Sequence, residues 1–271
     1  QVSIGSEGSK ELVARFRQKF IKEAQTIAGL NHPHIIRIYD IFEENDTAYY
    51  VMEYHDKGSL SELIKQRGAL PEAEALRYIR EVAKALTYIH RRNMNHLDIK
   101  PGNILLDEEG CSVLIDFGLS KRYDESGQQT STTPVGISHG YAPMEQYNAG
   151  GVSTFSPQTD IYALGVTYYE LLTGKNPFKT DVEAEMLSRQ IKMKLPYDKK
   201  IPRSIFNVIL KATEKVPAKR YKSALEFKFA ILEALEKSKE NSIKDWIFNN
   251  WKLLLGGFVA VLILLIILFT I

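Results

Sequence analysis

Residues 96–118 constrain this chain more than any other stretch. His96-Leu97-Asp98-Ile99-Lys100-Pro101-Gly102-Asn103-Ile104-Leu105-Leu106 is followed by Asp116-Phe117-Gly118, with Asp116 thirteen positions after Asn103. The run Val113-Leu114-Ile115 reads as a strand whose apolar side chains end abruptly in a carboxylate, and Gly118 frees the backbone just beyond it. A fold that keeps these pieces places Asp116 at the mouth of a cleft. Phosphoryl transfer from a nucleotide needs a carboxylate to orient and deprotonate a hydroxyl, and oxygen ligands that hold Mg²⁺ on the phosphates. Asp98, Lys100, Asn103 and Asp116 supply those parts. A lone His-x-Asp would say little, because such pairs commonly pack or cap; the whole constellation at this spacing is specific.

The segment resembles the catalytic loop and Asp-Phe-Gly motif of eukaryotic-type protein kinases in their bacterial style. Lys100, in the setting D-x-K-x-x-N, resembles the serine/threonine branch. The resemblance implies an α+β, two-lobed protein-kinase-like fold with a mainly helical C-lobe. It implies transfer of the γ-phosphoryl group of ATP to Ser or Thr hydroxyls of protein substrates, with Mg²⁺ (or Mn²⁺) as the metal. On it, Asp98 is the catalytic base, Lys100 neutralises charge on the moving phosphoryl group, and Asn103 and Asp116 hold the metal. One position departs from the family pattern: the usual Arg before the catalytic Asp is Leu97. That arginine reads a phosphate on the activation segment, so Leu97 argues against phospho-relay control while leaving the chemistry intact.

A chain of 271 residues accommodates one such domain of about 240 residues plus a short appendage. Its 44% hydrophobic and 25% charged residues are those of a globular protein. With a net charge of +2 and no basic block interleaved with aromatics, nucleic acid is not an expected partner. The single cysteine, Cys111, cannot form an intramolecular disulfide and reads as a packing residue at a strand start. His32, His34, His55, His90, His96 and His139 show no zinc-ligand spacing.

In chain order, residues 1–10 read as a linker or the remnant of an N-lobe, since they hold neither a V-A-I-K strand nor a G-x-G-x-x-G loop. Because the chain begins with Gln1, further sequence upstream is expected, and the chain as given is expected to bind ATP weakly. Residues 11–54 read as a partial N-lobe. Leu12 to Leu30 is helical by the spacing of Leu12, Phe16, Phe20, Ile27 and Leu30. The pattern E-A-x-x-x-x-x-L-x-H-P-x-I, Glu23 to Ile35, resembles the kinase helix whose glutamate pairs with a strand lysine to orient the nucleotide phosphates. Ile35 to Phe42 and Ala48 to Glu53 read as an antiparallel hairpin across Glu44-Asn45-Asp46-Thr47. Met52-Glu53-Tyr54-His55 resembles the inter-lobe hinge, with Met52 as gatekeeper and the backbone of Glu53 and His55 offered to adenine. Leu105 would floor that pocket.

Residues 55–240 read as the C-lobe. Gly58-Ser59-Leu60 opens a short helix, and Pro71 opens a longer one through Arg92 with Leu76, Ile79, Val82, Ala83, Leu86 and Ile89 on one face. Leu119 to Pro134 is polar and Ser/Thr-rich, and reads either as a surface loop or as an activation segment. Gly140 to Glu145 resembles the Ala-Pro-Glu motif, with Ser138 near the position of the substrate-loop Thr. Ser156 to Thr173 reads as a buried helix with Pro157 at its start. Its Asp160 and Gly165 resemble the kinase helix whose Asp ties down the catalytic-loop backbone; helix capping is the plainer role for such an Asp. Pro217-Ala218-Lys219-Arg220-Tyr221 resembles the motif whose arginine pairs with the Ala-Pro-Glu glutamate, here Arg220 with Glu145, as a structural ion pair.

The last amphipathic helix is expected to end near Lys239, with 241–252 juxtamembrane. Residues 253–271 carry no charge. Nineteen residues at ~1.5 Å each would span about 28 Å, close to a bilayer's hydrocarbon core. A single transmembrane helix is therefore expected, with Trp246 and Trp251 at the interface. Lys237, Lys239, Lys244 and Lys252 would keep the domain cytoplasmic at the cell membrane. Two other function classes compete: a pseudokinase or scaffold, suggested by Leu97 and the missing phosphate loop, and a small-molecule phosphotransferase. Gly140 to Glu145 and Asp160 to Gly165 resemble protein-substrate machinery and disfavour the last.

Overall fold

The computed structural model describes residues 7–117, 121–122, 138–147 and 155–270, without side chains at 7–12, 15, 19, 121–122, 183, 241–242 and 252–270. The predicted activation segment 119–134 and Gly118 thus lie outside the described residues, apart from the backbone of 121–122.

Helix α1 (Glu7–Ala28) lies beside an antiparallel hairpin of β1 (Ile38–Glu44) and β2 (Thr47–Met52). The hairpin turns at Asn45 and Asp46, both left-handed at φ 50° and 57°. Two consecutive left-handed residues make the tight turn that matches strand twist, and Asn and Asp tolerate it best among residues with side chains. Phe20 of α1 stacks on Tyr50 of β2 at 5.2 Å, and Arg17 meets Glu43 at 3.0 Å. The helix begins earlier than Leu12, so Glu7 to Lys10, the described part of the stretch read as a linker or N-lobe remnant, are helical. Gly8 and Ser9 depress local propensity, but the acidic Glu7 at an N-terminus favours the helix. The strands are likewise shifted: Ile35 lies outside β1 and bridges instead to Leu114.

Below the hairpin, α2 (Leu60–Arg67) is started by a reciprocal capping box between Ser59 and Glu62. Helix α3 (Glu72–His90) buries Leu76, Ile79, Val82, Ala83, Leu86 and Ile89, the stripe expected from its spacing. It feeds β3 (Met94–Asn95), which pairs with β6 (Lys121–Arg122). Between them, β4 (Ile104–Leu106) and β5 (Ser112–Leu114) form a second hairpin. That hairpin is stitched to the upper layer: Ile36 N donates to Leu114 O at 3.0 Å and Leu114 N to His34 O at 3.0 Å.

The remaining helices are α4 (Met144–Tyr147), α5 (Pro157–Thr173), α6 (Glu183–Lys192), α7 (Arg203–Ala212) and α8 (Ala224–Thr270). Helix α5 is buried on all sides because α3, α7 and α8 pack around it, which explains its lack of amphipathic patterning. Gly165 permits the α7 approach: a Cβ there would stand 3.0 Å from both Ala212 Cβ and Thr213 Cγ2. Gly174 ends α5 in the left-handed region at φ 75°, where a Cβ would meet Ala69 N at 2.8 Å.

Helix α8 corrects the expected break near Lys239, since it is continuous over 47 residues. No Gly or Pro interrupts 224–255, and the pairs Glu233–Lys237 and Glu240–Lys244 support its exposed turns at 3.6 and 3.7 Å. Among the residues described with side chains, no helix is long and apolar enough to cross a membrane. The expected span 253–271 falls outside those residues.

Candidate active site

The site is built from the loop that joins β3 to β4. Asp160, in the first turn of α5, reaches under that loop and accepts from His96 N (Oδ2, 2.9 Å) and Leu97 N (Oδ1, 2.7 Å). His90, at the end of α3, completes the knot at 2.8 Å from Asp160 Oδ2. Burial alone would raise the Asp160 carboxyl, but the His90 hydrogen bond and charge, with the Leu97 amide and His96, hold it below its ordinary value. His96 is itself fully buried, with Nε2 3.0 Å from Ile115 O and its ring 4.6 Å from that of Phe117. Burial pushes the His96 imidazole down, against the opposing pull of Asp160, Asp98 and Asp116. This histidine is a buried scaffold for the loop.

Pro101 begins a single 3₁₀ turn, Pro101–Asn103, that folds Asn103 back onto Asp98. Asn103 Nδ2 donates to Asp98 O at 2.9 Å and to Asp98 Oδ2 at 2.7 Å. Lys100 Nζ reaches the same Oδ2 at 2.7 Å and also Ser138 Oγ at 2.8 Å. Asp98 is 5% exposed, and its second oxygen, Oδ1, is buried with no hydrogen-bond partner among the described residues. A buried carboxylate oxygen left without a donor is costly, so Oδ1 is an acceptor that these residues leave unsatisfied.

Asp116 enters from the end of β5. Ile115 N donates to Asn103 O at 3.0 Å, which fixes that end beside Asn103, and Asp116 itself is left-handed at φ 60°. Its charge is also felt across the cleft: Tyr50 on β2 is pushed up by burial first and by Asp116 second. Asn103 points its amide nitrogen at Asp98, which turns its carbonyl oxygen the other way. That oxygen and the Asp116 carboxylate are hard donors of the kind that carry Mg²⁺ together with substrate phosphates. No group of three or more His, Cys, Asp or Glu among the described residues could hold a metal on its own. The donor set fits a metal delivered with a phosphate.

The residues assigned to the nucleotide are more dispersed. Glu23 lines a cavity of about 450 Å³ between α1 and the upper hairpin, whose lining includes none of Asp98, Asn103 and Asp116. Met52 ends β2 and is exposed. Glu53 N donates to Arg37 O at 2.9 Å, so that amide is committed to the sheet. His55 Nε2 lies 3.8 Å from Glu53 Oε2, with its side chain buried. Leu105 is half-buried and bridges to Ser59.

Glu145 and Arg220 form a forked pair at 2.6 and 3.1 Å. Arg220 is 3% exposed and also donates to Glu214 O, Gln158 O and Lys215 O, while Thr159 Oγ1 donates to Glu145. Two residues escaped the sequence reading. His90 showed only as one residue of an amphipathic helix that the spacing carried on to Arg92, and nothing in its neighbours pointed to Asp160. Gln146 donates to Leu97 O at 2.9 Å and is 1% exposed, whereas a glutamine beside a turn ordinarily reads as surface.

Comparison with known proteins places these features together. The family described as "Protein kinase domain" matches residues 6–230. A probable serine/threonine-protein kinase of Clostridium perfringens is 36% identical over 239 residues, covering 87% of this chain and 33% of its own length. The serine/threonine-protein kinase PrkC of Bacillus subtilis is 35% identical over 230 residues, 83% of this chain and 35% of its own. PknB of Mycobacterium leprae, also a serine/threonine-protein kinase, is 31% identical over 221 residues, 79% and 35% respectively. The chain spans about a third of the length of these relatives.

Proposed function

The chain belongs to the protein kinase domain family, and on that premise we propose that it transfers the γ-phosphoryl group of ATP to Ser or Thr hydroxyls of proteins. The observation that carries this reading is the divided Asp98 carboxylate: Oδ2 is held by Lys100 and Asn103, while Oδ1 is buried with no hydrogen-bond partner among the described residues and so keeps its acceptor capacity unspent. A substrate hydroxyl placed at Oδ1 donates its hydrogen bond there, which aims the hydroxyl oxygen at the γ-phosphorus. As the new O–P bond forms, the bond to the β–γ bridging oxygen breaks, ADP leaves, and the hydroxyl proton passes to Asp98. Lys100 stays beside Asp98 and offsets negative charge on the transferring group. Asn103 and Asp116 would hold Mg²⁺ (or Mn²⁺), which neutralises phosphate charge when bound.

Support for the serine/threonine branch comes from Lys100 and from the names of the relatives. Ser138, whose Oγ accepts from Lys100 Nζ at 2.8 Å, is assigned to the substrate loop on the resemblance of the segment around it. The nucleotide is assigned to the cleft under the upper hairpin, with Glu23, Met52, Glu53, His55 and Leu105 at its borders. The charge-free stretch 253–271 is assigned to a single membrane span, with the lysines before it holding the kinase domain in the cytoplasm for signalling. The test is transfer of labelled phosphate from MgATP to a panel of protein substrates. Transfer abolished by Asp98→Asn supports the reading; transfer only to small molecules, or none with any substrate, overturns it.

A further inference from the structure

Leu97 occupies the left-handed region at φ 69°. A residue with a bulky side chain pays steric strain there, and such a residue persists only where its surroundings over-determine it. Leu97 is held on both sides of its backbone. Asp160 Oδ1 takes its amide at 2.7 Å, and Gln146 Nε2 donates to its carbonyl at 2.9 Å. Asp98, whose carboxylate carries the proposed chemistry, is the next residue, so any relaxation of Leu97 swings that carboxylate.

The Gln146 side chain is buried for this bond. It is 1% exposed, and its Oε1 has no hydrogen-bond partner among the described residues. Burying an amide half-satisfied is unfavourable, and the gain visible in the structure is the Leu97 bond. Gln146 also follows Glu145, whose carboxylate is fixed by Arg220. The bond therefore joins the end of the 138–147 segment to the loop at the one residue whose conformation is strained. Leu97 itself is 4% exposed and carries no charge, so this connection needs no phosphate.

We infer that Gln146 is a positioning residue that locks Leu97 in its left-handed conformation and so sets the Asp98 carboxylate for transfer. This rests on the kinase reading above. The test uses the chain extended with its upstream sequence, in four forms: parent, Gln146→Met, Leu97→Gly, and the double variant. Met matches the volume of Gln and removes the donor, while Gly adopts the left-handed region without strain. Gln146→Met is expected to lower kcat about tenfold or more with KM for ATP changed by less than about twofold, because a buried carbonyl loses its donor. In the Leu97→Gly background the same change is expected to cost less than about threefold.

A second readout does not need activity. Amide hydrogen exchange over residues 95–100 should speed up in Gln146→Met, and the double variant should exchange no faster than Leu97→Gly. Unchanged kcat and exchange in Gln146→Met, or an equal loss in both backgrounds, overturns the inference. An inactive parent overturns the kinase reading, and the exchange comparison then decides this one alone.

Discussion

Asp160 Oδ1 and the backbone amide of Leu97 meet at 2.7 Å, across 63 positions of sequence. The bond ties the one helix buried on all sides to the one loop that carries Asp98. Asp160→Asn keeps the shape but faces one of the loop's N–H groups, or His90, with a donor. Loss of a buried, hydrogen-bonded carboxylate of this kind is expected to cost about 3–5 kcal/mol and more than tenfold in kcat. Urea unfolding and steady-state kinetics check the two numbers; a variant with parental stability would show that the knot under the loop is not needed.

Arg220 is a stability residue in the same sense. Replacing it with Met strands Glu145 and three backbone carbonyls, and is expected to cost about 3–5 kcal/mol. Arg220→Lys should recover little of that, because an ammonium cannot span the forked pair and the carbonyls together. Denaturant midpoints would decide, with full recovery by Lys as the contrary result.

These contacts divide what was legible in the sequence from what was not. Helix α5 could be bounded from Ser156, Pro157 and Gly174, because caps and breakers act locally. The hairpin turn was visible in Asn45-Asp46 for the same reason. The pairs Glu145–Arg220 and Asp160–Leu97 lie far apart in the chain and were reachable only through resemblance, since nothing in either residue's neighbours encodes its partner. Gln146 was not reachable at all: its burial depends on a strained backbone position, and strain leaves no mark in composition. The start of α1 at Glu7 and the run of α8 past Lys239 were missed because Gly8, and Ser238, Asn241 and Ser242 around Lys239, weaken propensity without ending a helix.

Acid should weaken the fold in two stages. His32 is lowered to about 4, by burial first and then by His34, Lys84 and Arg92; His96 is lowered chiefly by burial. Both imidazoles take a proton more readily when the chain is unfolded, so the unfolded state binds more protons below about pH 6.5 and stability falls as pH drops through that range. Asp160, held below its ordinary 3.8, adds a further loss only below that value. The urea midpoint should therefore decline between pH 6.5 and about 4, and His32→Asn should flatten that decline. A midpoint that rises on acidification would contradict the assignment.

The metal ligands can be separated from the base by titration. Asn103→Ala and Asp116→Asn should each raise the Mg²⁺ concentration needed for half-maximal transfer, by roughly tenfold or more. Asp98→Asn should leave that concentration nearly unchanged while lowering kcat by about 10² to 10⁴. Identical Mg²⁺ curves for all three would remove Asn103 and Asp116 from the metal site.

The most direct test of the account is the mass of the protein, extended with its upstream sequence, after incubation with MgATP and a protein substrate, beside its Asp98→Asn twin. The account predicts added phosphate on the substrate, or on the protein itself, with the parent and none with the twin. Phosphate added equally by both, or by neither with any protein substrate, would contradict it.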